Sequence, residues 1–256
     1  MAKTRHNQWL ALMIGNSQLH FALFADQEMI VTWNKTHLGD TLNSRNDWIK
    51  FIFPKDFPDY ITLEIPIYFA SVVPSQTEIW QNYHNSKLLQ LTDIPLQEIY
   101  PTLGIDRALA LWSASDILGL PILVIDGGTA LTFTGVNQDF QLVGGAILPG
   151  LGLQFKSLSK STAALPRVNL PSQPPNPWEK ATQTAIASGI IYTLGAGIKY
   201  FVEDWLEKFP YSKIVLTGGD ADLLHQYLQT QFPATASQIV VNHNLIFQGI
   251  KLAKYS

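Results

Sequence analysis

Ile122-Leu123-Val124-Ile125-Asp126-Gly127-Gly128-Thr129-Ala130-Leu131-Thr132 carries more structural information than any other segment of the chain. An unbroken apolar run, of the kind buried in a sheet, ends in a carboxylate, two glycines and two hydroxyl residues. The glycines let the backbone approach a phosphate closely and aim its N–H groups at it. The carboxylate is able to hold a cation that offsets phosphate charge. A tight hairpin turn uses the same residue types. The buried strand before it and the hydroxyls after it favour nucleotide phosphate chemistry over the bland reading.

Working outward, the chain opens with two apolar strands, Trp9–Ile14 and Leu19–Phe24, around a turn at Gly15-Asn16-Ser17-Gln18. A third strand is expected at Met29–Trp33, a helix at Leu42–Phe53 and a strand at Ile67–Val73. Ser75 reads as the cap of a helix over Gln76–His84. Arg107–Leu118 is helical, stopped by Gly119 and Pro121. The strand Ile122–Asp126 pairs with Leu131–Val136, and Phe140–Leu148 adds a strand interrupted at Gly144-Gly145. Pro166–Pro177 holds five of the chain's prolines and reads as a linker or lid. A long helix fits Pro177–Phe209, broken near Gly195–Gly197. Lys213–Leu216 is a strand, Thr217-Gly218-Gly219 a turn, and Asp220 the cap of a helix over Ala221–Leu228. Gln238–Val241 and Asn244–Lys254 are the last strand and helix. Each half therefore opens with strands around a glycine-rich turn and closes with helices. The expectation is an α/β fold of two duplicated domains, residues 1–118 and 119–256, with a nucleotide cleft between them.

Composition narrows the options. The 256 residues are 46% apolar and 14% charged, as in a well-buried globular protein. A net charge of −3 without a basic tract gives nucleic-acid binding little support. With no cysteine, disulfides, thiolate catalysis and cysteine-ligated metals are excluded, and a cytoplasmic protein is expected. The polar N-terminus lacks a signal-peptide core, and no apolar stretch reaches the length of a membrane span. The six histidines show no metal-ligand spacing and read as surface or core residues, and the seven tryptophans as packing residues.

The remaining constellations each have a plain alternative. Gly104-Ile105-Asp106-Arg107 could be only a helix start, with Asp106 as its cap. The adjacent Arg107 adds chemistry: an acid beside a fixed guanidinium can take a proton while the guanidinium holds a carboxylate. Gly15-Asn16-Ser17 is either a hairpin turn or a set of backbone N–H groups for terminal phosphates. Gly144–Gly150 is either a bulged strand with its exit turn or part of a site. Thr217-Gly218-Gly219 lies where a strand's carboxyl end often abuts a nucleotide.

Taken together and in order, these motifs resemble the type III pantothenate kinases of the acetate and sugar kinase/Hsc70/actin superfamily, nearly end to end. The resemblance rests on GNS at 15–17, GIDR at 104–107, DGGTALT at 126–132, GGAILPG at 144–150, TGG at 217–219 and NLIFQGI at 244–250. It implies two ribonuclease-H-like domains of the actin-like ATPase type and a homodimer. It also implies ATP-dependent phosphorylation of pantothenate, the first step of coenzyme A synthesis, with Mg2+ and a monovalent cation, K+ or NH4+. By the same resemblance, Asp106 is the general base. Gly104, Ile105, Asp106, Arg107 and Thr182 line the pantothenate site. Asp126 ligates the monovalent cation. Gly15, Asn16, Ser17, Thr129, Gly218 and Gly219 contact ATP. Three positions depart from the family pattern: Met13 stands where the first phosphate loop has an aspartate, Ala181 replaces an asparagine, and Tyr100 lies only four residues before Gly104. Methionine is no ligand for a hard cation. Two alternatives therefore stand beside the kinase: a weakened relative acting as a binding or regulatory protein, and a kinase for another small hydroxylated substrate such as a sugar.

Overall fold

The computed structural model describes residues 7–42, 44–54 and 65–256; the N-terminal reading and part of the first expected helix fall outside them. The chain divides into two compact units, one of Met1–Pro95, Thr102–Ala110 and Ile246–Ser256, the other of Leu96–Pro101 and Leu111–Leu245.

In the first unit, β1 (Gln8–Ile14), β2 (Leu19–Ala25) and β3 (Glu28–Lys35) form an antiparallel meander. After α1 (Arg45–Ile52), β4 (Ile67–Ser71) pairs parallel with β1. After α2 (Pro74–Gln81), β5 (Ser86–Leu88) pairs parallel with β4, giving the order β3-β2-β1-β4-β5. Central β1 is buried on both faces, which explains its nearly continuous apolar sequence. Leu10, Leu12 and Ile14 pack with Phe21, Trp48, Phe69 and Trp80 in one cluster. On the other face Trp9 stacks on Phe24 at 4.3 Å and meets the edge of Tyr255 at 6.3 Å. A short 3-10 turn, Leu91–Asp93, follows β5.

Helix α3 (Ile105–Leu118) leads to the second unit, where β6 (Ile122–Gly127), β7 (Ala130–Val136) and β8 (Leu142–Pro149) form another antiparallel meander. Next come α4 (Leu151–Ser161) and α5 (Thr182–Lys208), then β9 (Lys213–Thr217), parallel to β6. Helices α6 (Ala221–Gln231) and α7 (Pro233–Ala236) lead to β10 (Ile239–Val241), parallel to β9. The order β10-β9-β6-β7-β8 repeats the first sheet strand for strand, with the same directions. The expected duplication is thus present in the topology. The last helix, α8 (Leu245–Tyr255), places all but its first residue in the first unit. There a Cβ on Gly249 would collide with the Leu109 carbonyl, so the missing side chain lets α8 lie directly on α3.

Several local expectations change. Helix α2 begins at Pro74, without a Ser75 cap, because proline suits the first helical position, where its absent N–H needs no partner. Strand β8 runs unbroken through Gly144-Gly145; the irregularity is a bulge opposite Gly135/Val136. Helix α5 does not break at Gly195. A Cβ there would sit 2.6 Å from Gln231 Oε1, so this glycine serves close helix packing. Helix α5 is also long and apolar enough to cross a membrane, contrary to the reading that no stretch reaches such a length. Its apolar residues Ile186, Ile190, Ile191, Leu194, Ile198 and Val202 are instead the core of the second unit. Trp178, alone among the tryptophans, stands almost wholly exposed, at 93%.

Candidate active site

Strand β6 delivers Asp126 to its carboxyl end, between Thr132 of β7 and Thr217 of β9 in register. The strand stops because Gly128 and Thr129 turn the chain, and Gly128 N–H donates to Ala130 O at 3.0 Å. Past β9, Gly218 adopts φ +94°, the left-handed region that favours glycine. A Cβ there would collide with the Asp126 carboxylate and crowd the Gly127 carbonyl. Asp220 N–H donates to Gly127 O at 2.8 Å, and Gly150 N–H to Thr129 O at 2.9 Å. Three turns read separately in the sequence, 127–129, 149–150 and 218–220, are therefore one hydrogen-bonded assembly around Asp126 and Thr129. Thr182 opens α5 in the same unit and is exposed.

Asp220 itself was read only as a helix cap. Its side chain makes no capping bond to α6. Burial pushes its carboxyl above the ordinary carboxylate range, against the opposing pull of the Gly152 N–H and the Lys156 charge.

In the first unit, α3 starts at Ile105, which puts Asp106 within its first turn rather than at the cap. A negative side chain there is favoured by the helix dipole. Asp106 Oδ1 accepts the Arg107 N–H at 2.9 Å. A Cβ on Gly104 would collide with that same oxygen, so the glycine gives the carboxylate its room. Arg107 is buried at 7% exposure. Burial holds the Asp106 carboxyl above its usual range, outweighing the Arg107 N–H and guanidinium charge. This is the direction that brings a carboxylate closer to use as a base near neutral pH. A cavity of about 390 Å³ adjoins Gly104 and Ile105, lined also by Ser71, Thr77, Leu89 and Gln90. Ser71 ends β4, so the cavity lies at a strand's carboxyl end, where open α/β sheets bind ligands.

The first turn, Gly15-Asn16-Ser17, joins β1 to β2 and is closed by Gly15 N–H donating to Gln18 O at 3.0 Å. Met13 is buried beside it at 3% exposure, opposite His20 in register. Two histidines set aside in the sequence stand here. His37 Nε2 lies 2.8 Å from Gly15 O, and His20 Nδ1 lies 2.9 Å from Asn34 Oδ1. Burial lowers the His20 pKa, which keeps this ring neutral at pH 7.

Among the described residues, no three His, Asp or Glu side chains gather to hold a metal. The Asp126 carboxylate and the Gly127 carbonyl both approach the space beside Gly218, an oxygen pair that would suit a cation held by oxygen. It does not form a dedicated cage for a divalent ion; Mg2+ is commonly carried by substrate phosphates and water.

This architecture is that of the actin-like ATPases. The structure superposes on MreB5 of Spiroplasma citri bound to ADP with a TM-score of 0.51, at 10% identity over 97% of this chain and 96% of that one. It superposes on a Campylobacter jejuni protein described as a Baf family transcriptional activator with a TM-score of 0.59, at 22% identity over 96% of each chain. The family model for type III pantothenate kinase matches residues 9–204. A relative from Nostoc sp. (strain PCC 7120) named type III pantothenate kinase is 48% identical over 98% of this chain and 95% of its own. The chain belongs to the type III pantothenate kinase family.

Proposed function

We propose that the protein transfers the γ-phosphoryl group of ATP to the hydroxyl of pantothenate in the cytoplasm, yielding 4'-phosphopantothenate and ADP, the first step of coenzyme A synthesis. Family membership over nearly the whole chain is the observation that carries this reading. In the proposed reaction the hydroxyl oxygen bonds to the γ-phosphorus as the bridge to the β-phosphate breaks, and ADP leaves with that bridging oxygen. Asp106 takes the hydroxyl proton, a role its burial and raised pKa support. Arg107 holds the pantothenate carboxylate, and Gly104, Ile105 and Thr182 complete the acceptor site. Gly15, Asn16, Ser17 and Thr129 position the phosphates, and Gly218 and Gly219 border the adenosine. Asp126 holds K+ or NH4+. Mg2+ arriving with ATP neutralises charge on the phosphates. The active form is a homodimer. Most of the rate enhancement comes from positioning and charge neutralisation, as is general for phosphoryl transfer.

Buried Met13 favours one second reading, a relative that binds the same ligands without turning them over. ADP release with millimolar ATP, magnesium and potassium decides between them. The kinase releases ADP only when pantothenate is added, and neutral polyols do not replace it. ADP release with a polyol but not with pantothenate supports another acceptor. No release from a folded protein rejects the kinase.

A further inference from the structure

Gln76 is a buried polar side chain, 5% exposed, in a helix whose Trp80 belongs to the apolar core of the first unit. A buried amide is costly unless it is hydrogen-bonded. Both ends of this one are. Gln76 Oε1 accepts the Leu38 N–H at 3.1 Å, and Gln76 Nε2 donates to the Leu38 carbonyl at 2.8 Å. Leu38 lies past the end of β3, outside any strand, so the amide supplies the two partners that a neighbouring strand would. The Leu38 side chain also joins the core cluster. An irregular segment is thus fixed by its backbone and its side chain together.

The residue this clamp presents is His37. Its Nε2 lies 2.8 Å from the Gly15 carbonyl oxygen. A carbonyl oxygen only accepts, so Nε2 carries the proton and donates. The rest of the turn is held by backbone: Val72 N–H donates to Ile14 O at 3.1 Å, and Gly15 N–H to Gln18 O at 3.0 Å. Those two bonds fix the Ile14–Gly15 peptide at its C=O and at its N–H. The next peptide, Gly15–Asn16, is held at its carbonyl by His37. Glycine leaves such a peptide more freedom to turn than any other residue, so an external hold matters here. The peptide is planar and trans, so its C=O and N–H point in opposite directions. Fixing the Gly15 carbonyl therefore fixes the direction of the Asn16 N–H, away from the imidazole.

We infer that His37 is a positioning residue for phosphate binding: clamped through Leu38 by Gln76, it donates to the Gly15 carbonyl and so aims the Asn16 N–H at the nucleotide. It acts through the peptide and touches no reacting atom. The inference rests on the proposed role of residues 15–17 in holding the ATP phosphates.

The test compares His37→Ala and His37→Gln with the wild type. All three are titrated with MgATP by calorimetry, assayed for pantothenate-dependent ADP release and melted to give Tm. His37→Ala is expected to weaken MgATP affinity and raise the KM for ATP about two- to ten-fold, the equivalent of one hydrogen bond. The KM for pantothenate stays unchanged. His37→Gln keeps an N–H donor but no ring and no charge, and it restores most of the affinity. Wild-type MgATP affinity in His37→Ala overturns the inference. So does a rise in both KM values in step with a fall in Tm, which marks a merely structural residue. A His37→Gln variant as impaired as His37→Ala overturns it too, because the donor is then not what matters. A wild type that binds MgATP without turning over pantothenate refutes the acceptor assignment alone, and His37 is then judged on MgATP affinity. A wild type that binds no MgATP overturns both.

Discussion

Replacing Asp106 with asparagine separates chemistry from stability. The substitution removes the base while keeping size and an acceptor oxygen for the Arg107 N–H, now bonded at 2.9 Å. General-base assistance contributes about 10²–10⁴-fold in rate. At about 1.36 kcal/mol per decade this is about 2.7–5.4 kcal/mol of transition-state stabilisation. Stability moves the other way. Burial raises the folded-state pKa of Asp106 above its unfolded value, so the native state resists ionisation. Stability from this group is present below the unfolded pKa and declines as pH rises from there through the raised folded pKa; at neutral pH the cost remains. Asp106→Asn is thus expected to match or exceed the wild-type Tm at pH 7, with any advantage fading toward low pH where both side chains are neutral. Steady-state ADP release gives kcat, and calorimetry across pH gives Tm. A kcat within about three-fold of wild type, against the range for a lost general base, refutes the base assignment. A Tm deficit that is largest at neutral pH refutes the electrostatic argument.

Three further substitutions probe the supports of the site. Asp126→Ala is expected to raise the potassium concentration needed for half-maximal activity; an unchanged potassium curve removes Asp126 from the cation site. Gly218→Ala places a Cβ at φ +94° and against the Asp126 carboxylate, so Tm falls and the potassium requirement rises together. A wild-type Tm contradicts the steric reading. Gly249→Val forces side-chain atoms into the Leu109 carbonyl, for an overpacking cost of about 1–3 kcal/mol, and with it a Tm lower by several degrees in thermal unfolding. No loss shows that α8 and α3 separate freely.

The central strands were legible because β1 and β6 are buried on both faces and carry nearly unbroken apolar runs. The meanders followed from the turns at Gly15–Gln18 and Gly127–Thr129. Glycines were the main source of error. Gly144 and Gly145 sit inside a continuous strand and Gly195 inside a continuous helix; Gly195 serves close packing against Gln231, while Gly144 supplies a positive φ that other residues rarely adopt. Helix α4 went unread because Pro149-Gly150 looks like an exit turn, although Leu151, Phe155 and Leu158 have helical spacing. Strand β5 is three residues long and shows no period. At the site, the residue types at 104–107 and 126–129 pointed to chemistry on their own. The link of Asp220 to the Gly127 turn was hidden because its backbone N–H meets a carbonyl distant in sequence, and an aspartate before a helix already has a sufficient local explanation. His37 was hidden in the same way, since its contact with the Gly15 carbonyl spans 22 residues.

The most direct test is to incubate the purified protein with pantothenate, ATP, magnesium and potassium and to identify the acceptor product by mass spectrometry, beside the Asp106→Asn variant. The kinase assignment predicts pantothenate gaining one phosphoryl group in the wild type, despite Met13, with little product from the variant. Unmodified pantothenate in a folded wild type that binds MgATP would contradict it.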